Sequence, residues 1–280
     1  MEKELIEAVS PVRSVNQMKR IVVMGRGGVG KTSFAALVTK FFIEVGETPL
    51  LLVDVDPDQN LGEMVGVDLK ETGKKTISEL LIETFIDGGG TTVGVAPSEK
   101  MESRIWADGL YEGKSFDMVA VGTKFIEGCY CLPDSALKNA LKNLTKTYKH
   151  VLIDSPAGLE HLNRRIASEV DDIFDIVGPS KKAFNHVGRA YRIVREVNIQ
   201  FENFYLVGGY RFSEGLEKRA KDTGLEYLGS VSLDKALEES VLEGRSLLEL
   251  PLDSPAYTSV KGILHRAGYS SLKESLFPNC

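Results

Sequence analysis

GRGGVGKTS, residues 25–33, lies between a short apolar run, RIVVM (20–24), and an amphipathic stretch, KTSFAALVTKFFIEVG (31–46). This order reads as a strand, a glycine-rich turn and a helix. In that setting the spacing G-x-x-x-x-G-K-[ST] marks a phosphate-binding loop. The glycines let backbone N–H groups approach phosphate oxygens, and the helix N-terminus adds its partial positive charge. Gly27, Gly28, Val29, Gly30, Lys31, Thr32 and Ser33 are therefore the candidate nucleotide-binding residues. Lys31 is expected to reach the β and γ phosphates and to act in catalysis, and the Thr32 hydroxyl to bind Mg²⁺.

Outward from this loop, short apolar runs alternate with longer amphipathic stretches, the pattern of strand, crossover helix and parallel strand. Besides RIVVM, strands are expected at 49–55, 117–123, 150–154, 173–178, 204–209 and 226–231. Helices are expected at 31–46, 134–148, 158–170, 182–197, 214–224 and 234–244. The segment 63–116 is less regular, with DGGGTT and YEGKS. A helix near 76–86 followed by a mobile loop or small hairpin is expected there, not a second domain. The predicted fold is α/β: a doubly wound, mostly parallel sheet of seven to eight strands with helices on both faces, the P-loop NTPase arrangement. One ATPase domain over 20–268 is expected, with an N-terminal extension over 1–19 and a C-terminal tail over 269–280.

Composition suits such a domain. The chain has 280 residues, 42% of them hydrophobic, with a net charge of −6. That charge argues against a broad nucleic-acid footprint, which needs a basic excess on at least one face. The first twenty residues carry mixed charge and no continuous apolar run, so neither a signal peptide nor a membrane anchor is expected, and the apolar runs are too short to span a bilayer. A cytoplasmic protein is the expectation. There are three cysteines. In a reducing compartment, Cys129 and Cys131 of EGCYC (127–131) are more often metal ligands or redox groups than a structural disulfide.

Two acidic stretches complete the phosphate site. LLLVDVDPDQNLG places Asp54 and Asp56 at the carboxyl end of the second strand, where ligands of open α/β sheets bind. HVLIDSPAG, residues 150–158, has the form of a Walker B strand: Asp154 is expected to hold Mg²⁺ through water, and the N–H of Gly158 to meet the γ-phosphate.

GRGGVGKT resembles the deviant P-loop of the dimeric ATPases that include the nitrogenase iron protein, MinD and ArsA. Where that family carries a lysine reaching across a homodimer to the partner's phosphates, this chain has Arg26. An arginine fork suits phosphate but is not equivalent to lysine, and a solvated surface arginine is the alternative. By the same resemblance, Asp56 matches the aspartate that positions the attacking water, and Asp54 has a magnesium-shell or structural role. Within the class, four stretches are similar to the CooC-type ATPases that assist nickel insertion into carbon monoxide dehydrogenase. They are DVDPDQNLG, DMVAVGTKFIEGCYCLPDSALKNALKNL, HVLIDSPAGLEHLNRR and LEGRSLLELPLDSPA. That resemblance spans residues 20–265 or so. It implies a homodimer cycling between ADP and ATP states, with Zn²⁺ or Ni²⁺ held at the interface by Cys129 and Cys131 of both subunits, and a nickel enzyme such as carbon monoxide dehydrogenase as client.

The cysteine chemistry allows this reading. Two thiolates on one loop fill half of a tetrahedral site, and a two-fold partner supplies the other half. Pro133, expected to open the next helix, places both sulfurs near a helix N-terminus, which favours the thiolate. A redox pair and two buried cysteines are the competing readings. An iron–sulfur reductase like the nitrogenase iron protein is an alternative function, although the internal cysteines lie on one loop only. A MinD-type positioning ATPase is another, and the C-terminal VKGILHRAGYSSLKESLF shows no clean lipid-facing stripe. His161 could join a metal site, but a helix-surface histidine is the more ordinary reading. Relatives present a base-reading asparagine where this chain has Gly208, Gly209 and Tyr210; Tyr210 is a candidate to stack on the base.

Overall fold

The computed structural model describes residues 18–56, 58–87, 94–122, 131–156, 169–196 and 199–269, with 131–137, 181 and 214 described by backbone alone. Among the described residues, eight strands form one sheet: β1 (Lys19–Gly25), β2 (Leu50–Asp54), β3 (Tyr111–Glu112), β4 (Asp117–Ala120), β5 (His150–Asp154), β6 (Glu169–Val177), β7 (Gln200–Gly208) and β8 (Glu226–Ser230). Their order is β3-β4-β2-β5-β1-β6-β7-β8. All neighbours run parallel except β3, which turns back on β4 at the edge. Every residue of β2 and β5 is buried. Such unbroken apolar strands follow from helices covering both faces of a parallel sheet.

The helices are α1 (Lys31–Val45), α2 (Asn60–Met64), α3 (Ile77–Leu81), α4 (Pro97–Arg104), α5 (Cys131–Thr145), α6 (Lys181–Glu196), α7 (Glu217–Lys221), α8 (Lys235–Leu242) and α9 (Pro255–Arg266). One face of the sheet packs on α3, α4, α5 and α6. The stripe Ala183, Val187, Ala190 and Val194 of α6 has the spacing of an amphipathic helix. The other face packs on α1 and α9, and α1 is buried continuously from Phe34 to Phe42. At the amino ends of the strands, buried Asp172 accepts from Lys19 Nζ (3.0 Å), Asn203 Nδ2 (2.6 Å) and the Tyr269 hydroxyl. This network ties the end of α9 to β1 and β7. Tyr269 is therefore a buried residue of the domain.

The doubly wound, mostly parallel sheet is as expected, and several boundaries differ. The helix expected over 158–170 does not reach its end, because Glu169 and Val170 already pair with Gln200 and Phe201 in the β6–β7 ladder. Helix α5 begins at Cys131, three residues before the expected start. Pro133 is tolerated there because N–H groups in a helix's first turn have no intrahelical partner. The helix expected over 214–224 is a 3₁₀ turn, Glu214–Leu216, followed by the short α7. Near 76–86 the chain forms α3 and then a wider π-helical turn, Ile82–Asp87. A second helix and π-helical turn, α4 and Ile105–Gly109, lead into the β3–β4 hairpin. Helix α9 was not anticipated, although Ser254 caps it by accepting from Tyr257 N–H and Pro255 occupies its first position.

Candidate functional site

The phosphate loop joins β1 to α1 at the centre of the sheet, at the carboxyl ends of the strands, where the connections change direction. Gly25 leaves β1 with φ 144°, and a side chain there would meet the Ile176 carbonyl. Gly30 precedes α1 in the left-handed region and supplies no side-chain cap. The first N–H groups of α1 thus remain available to an anion. Lys31 is buried, and its Nζ donates to the Arg26 carbonyl at 3.4 Å, so it lies folded along the loop.

The sheet register delivers the acids. Asp54 and Asp154 are paired residues at the ends of β2 and β5, and Val23 of β1 pairs with Asp154 on its other side. Asp54 accepts from the N–H groups of Asp56 and Leu61, each at 3.0 Å. Those bonds shape the turn that carries Asp56, which in turn accepts from Asp58 N–H at 3.1 Å. Burial, with Asp154 beside it, pushes the Asp54 carboxyl up to about 8. Asp154 is fully buried, and no group makes a well-formed hydrogen bond to either of its carboxylate oxygens, the Thr32 hydroxyl lying close by. Burial pushes it up to about 7, while the nearby Thr32 hydroxyl and Lys31 ammonium pull the other way. An orphaned carboxylate next to a hydroxyl is a hard oxygen donor set that fits Mg²⁺.

A cavity of about 510 Å³ brings Gly27 through Ser33 together with Asp56. It also takes in residues that the sequence reading missed. Ser232, Leu233 and Asp234 come from the turn after β8, and Leu237, Glu238, Val241 and Leu242 from α8. The signal for them was present in the rule that ligands sit beyond the carboxyl ends of parallel strands. Asp234 fixes this wall: it accepts from Ala236 and Leu237 N–H at the start of α8, and from Ser254 Oγ and Ala256 N–H at the start of α9. Arg26 is exposed and does not line the cavity; its charge reaches His186 on α6, whose pKa is lowered by burial first and then by Arg26 and Arg189. Cys129, Gly158 and His161 lie outside the described residues, and Cys131 is described by its backbone only. Among the described residues, no three His, Cys, Asp or Glu side chains converge as a metal-binding group.

The AAA_31 family model, described as an AAA domain, matches residues 18–204, a span that includes the phosphate loop and both acidic strand ends. The chain belongs to this family. Like its AAA_31 relatives it is a P-loop ATPase. It is 32% identical to an ATP-binding protein of Methanocaldococcus jannaschii over 88% of this chain and 97% of that one. More distantly, it is 23% identical to the carbon monoxide dehydrogenase accessory protein CooC of Rhodospirillum rubrum, over 65% of this chain and 71% of the relative. Its fold is that of the septum site-determining protein MinD of Pyrococcus horikoshii OT3, solved with Mg-ADP. The TM-score is 0.63 at 19% identity, covering 90% of this chain and 96% of that one.

Proposed function

We propose that this AAA_31 ATPase binds Mg-ATP in the 510 Å³ cavity and hydrolyses it with Lys31, Thr32, Asp56 and Asp154 in distinct roles. The observation that carries the reading is Asp154, a fully buried carboxylate with no well-formed hydrogen bond to either oxygen, beside Thr32 and Lys31. Thr32 and Asp154 would hold Mg²⁺, which when bound neutralises charge building on the phosphate oxygens. Lys31 leaves the Arg26 carbonyl to meet the β and γ phosphates. Asp56, on a turn braced by Asp54, orients the attacking water and accepts its proton. Phosphoryl transfer of this kind depends on positioning and charge neutralisation more than on covalent help from the protein. Lys31→Ala is expected to lose nucleotide binding or turnover, and Asp56→Ala to bind ATP yet lose turnover by 100-fold or more, roughly the scale of one positioned acid–base group. Phosphate release and ATP titration measure both; turnover that survives in Asp56→Ala removes its role.

The finer reading is that the ATPase is a homodimer that carries a metal on Cys129 and Cys131 and delivers it to a nickel enzyme of the carbon monoxide dehydrogenase kind. The Cys-x-Cys sequence, the placement of Cys131 at the start of α5 and the similarity to CooC support it. In this reading Arg26 serves the partner's nucleotide. Metal analysis of anaerobically purified protein tests the cargo: zinc or nickel at half an equivalent per chain supports it, and an iron–sulfur cluster overturns it.

A further inference from the structure

The cavity has two ends of different chemistry. At one end are the phosphate loop and Asp56. At the other is the approach to α8, where Leu233, Val241 and Leu242 are 63%, 40% and 85% exposed, and Tyr210, bonded to Val29 of the loop and to Glu238 of α8, joins the two. Exposed leucines are ordinary when scattered, but these share one cavity with a phosphate site, and a flat apolar group tethered to phosphates would cover them. The apolar end is thus the place for the base, given the nucleotide reading above.

The strand end beside it cannot carry a base-reading side chain. A Cβ on Gly209 would lie 2.2 Å from the Val29 carbonyl oxygen, and one on Gly208 would lie 2.5 Å from the Phe212 ring and 2.6 Å from Ser230 Cβ. The nearest residue free to contribute is Tyr210, whose N–H donates to the Val29 carbonyl at 3.0 Å. Its ring is therefore held beside the phosphate loop by the backbone. Arg211, with φ 59°, turns its guanidinium onto that ring at 4.9 Å from the centroid. The Tyr210 hydroxyl donates to Glu238 Oε1 at 3.3 Å, across from α8.

That hydrogen bond settles what the pair offers a ligand. With its proton directed at Glu238, the Tyr210 oxygen presents lone pairs, and Glu238 keeps a second acceptor oxygen. Two acceptors side by side match an exocyclic amino group, which has two N–H donors. They repel a keto oxygen, which has only lone pairs. Guanine held in the same pose places its own keto oxygen, where adenine carries the amino group, against the same two acceptors. We propose that Tyr210 and Glu238 read the exocyclic amino group of adenine and are the specificity-determining residues of this nucleotide site.

The proposal rests on the cavity being a nucleotide site, and the experiment separates the two. Affinities of the full chain would be measured for ATP, for ITP (a keto oxygen in place of the amino group), for GTP and for inorganic tripolyphosphate. A matched pair of hydrogen bonds to a base edge gives about 10- to 100-fold discrimination, so ATP should bind tighter than ITP and GTP by that factor. Glu238→Ala and Tyr210→Phe should each shrink the ATP-to-ITP ratio about tenfold while leaving tripolyphosphate affinity unchanged. Glu238→Gln, which adds an amide donor, should shift preference toward ITP. Circular dichroism confirms that the variants fold. A wild-type chain that binds ITP or GTP as tightly as ATP overturns the proposal, and so does a ratio unchanged in both variants. Failure of ATP and tripolyphosphate alike to bind overturns the nucleotide-site reading, and this proposal with it.

Discussion

Asp154 and Asp175 are both fully buried carboxyls with oxygens that lack well-formed hydrogen bonds, yet they differ in what surrounds them. Asp154 has Thr32 and Lys31 beside it, the setting of a cation site. Asp175 sits between Met24 of β1 and Leu206 of β7, with no charged or hydroxyl group shifting it. Burial alone pushes its carboxyl from 3.8 up to about 7. A carboxyl whose pKa is higher in the folded state favours folding when protonated. That contribution is complete below the unfolded value and is lost as pH rises through the folded one. The window runs from roughly pH 4 to pH 8, and a shift of about three units corresponds to on the order of 4 kcal/mol for one group. Asp54 and Asp154 shift in the same direction. The metal-free protein should therefore lose stability between pH 5.5 and pH 8, and Asp175→Asn should flatten that slope. Urea unfolding midpoints at the two pH values give the comparison; equal slopes for the two proteins would remove Asp175 from the account.

At the scale of elements, the site is a meeting of strand ends and helix starts. The register that pairs Asp54 with Asp154 puts two acids beside the loop, and one backbone-bonded turn then aims Asp56 at the cavity. Helix α8 forms the opposite wall, and a single carboxylate, Asp234, ties its amino end to that of α9 behind it. Helix α5 carries the other chemistry proposed for this chain. Its first residue is Cys131, so that cysteine stands where the helix dipole favours a thiolate. If Cys129 and Cys131 from two chains share one tetrahedral metal, metal binding and dimerisation strengthen one another. Equilibrium sedimentation with and without Zn²⁺ or Ni²⁺ is expected to show metal-linked dimers in the wild type and none in Cys129→Ala/Cys131→Ala. One metal per monomer, or a double variant that still dimerises with metal, would sink the bridging model.

For the whole molecule, the position of Arg26 is the informative feature. It is exposed and absent from the wall of its own cavity, which leaves it free to serve a neighbouring subunit's phosphates. A charge supplied in trans to a phosphoryl-transfer transition state is worth about 10³-fold or more in rate, whereas a solvated surface charge is worth almost nothing. Mixing Arg26→Ala with Asp56→Ala subunits should restore activity at one of the two sites of the heterodimer, because that site keeps its own Asp56 and receives Arg26 from its partner. No recovery after demonstrated subunit exchange counts against the trans role. Among the described residues, no helix is long and apolar enough to cross a bilayer. The apolar residues Val260, Ile263 and Leu264 of α9 are core residues, not a lipid-facing stripe.

The sequence by itself determined the phosphate loop, the strand-and-helix alternation and the acids at the strand ends, because each is a local pattern. Glycine spacing, apolar runs and an aspartate closing a strand are legible over ten residues. Helix α9 is equally local in its start signals, Ser254 and Pro255. Only the tertiary structure decided what is long-range. It separated braced Asp54 from orphaned Asp154, placed Arg26 outside its own cavity, and set Tyr210 against Glu238, 28 positions away. It also showed why no asparagine could stand at Gly209, where the phosphate loop's own backbone occupies the space. Those outcomes depend on which strand ends and helix starts the sheet order brings together, and pairing across the sheet leaves no periodic mark in the chain.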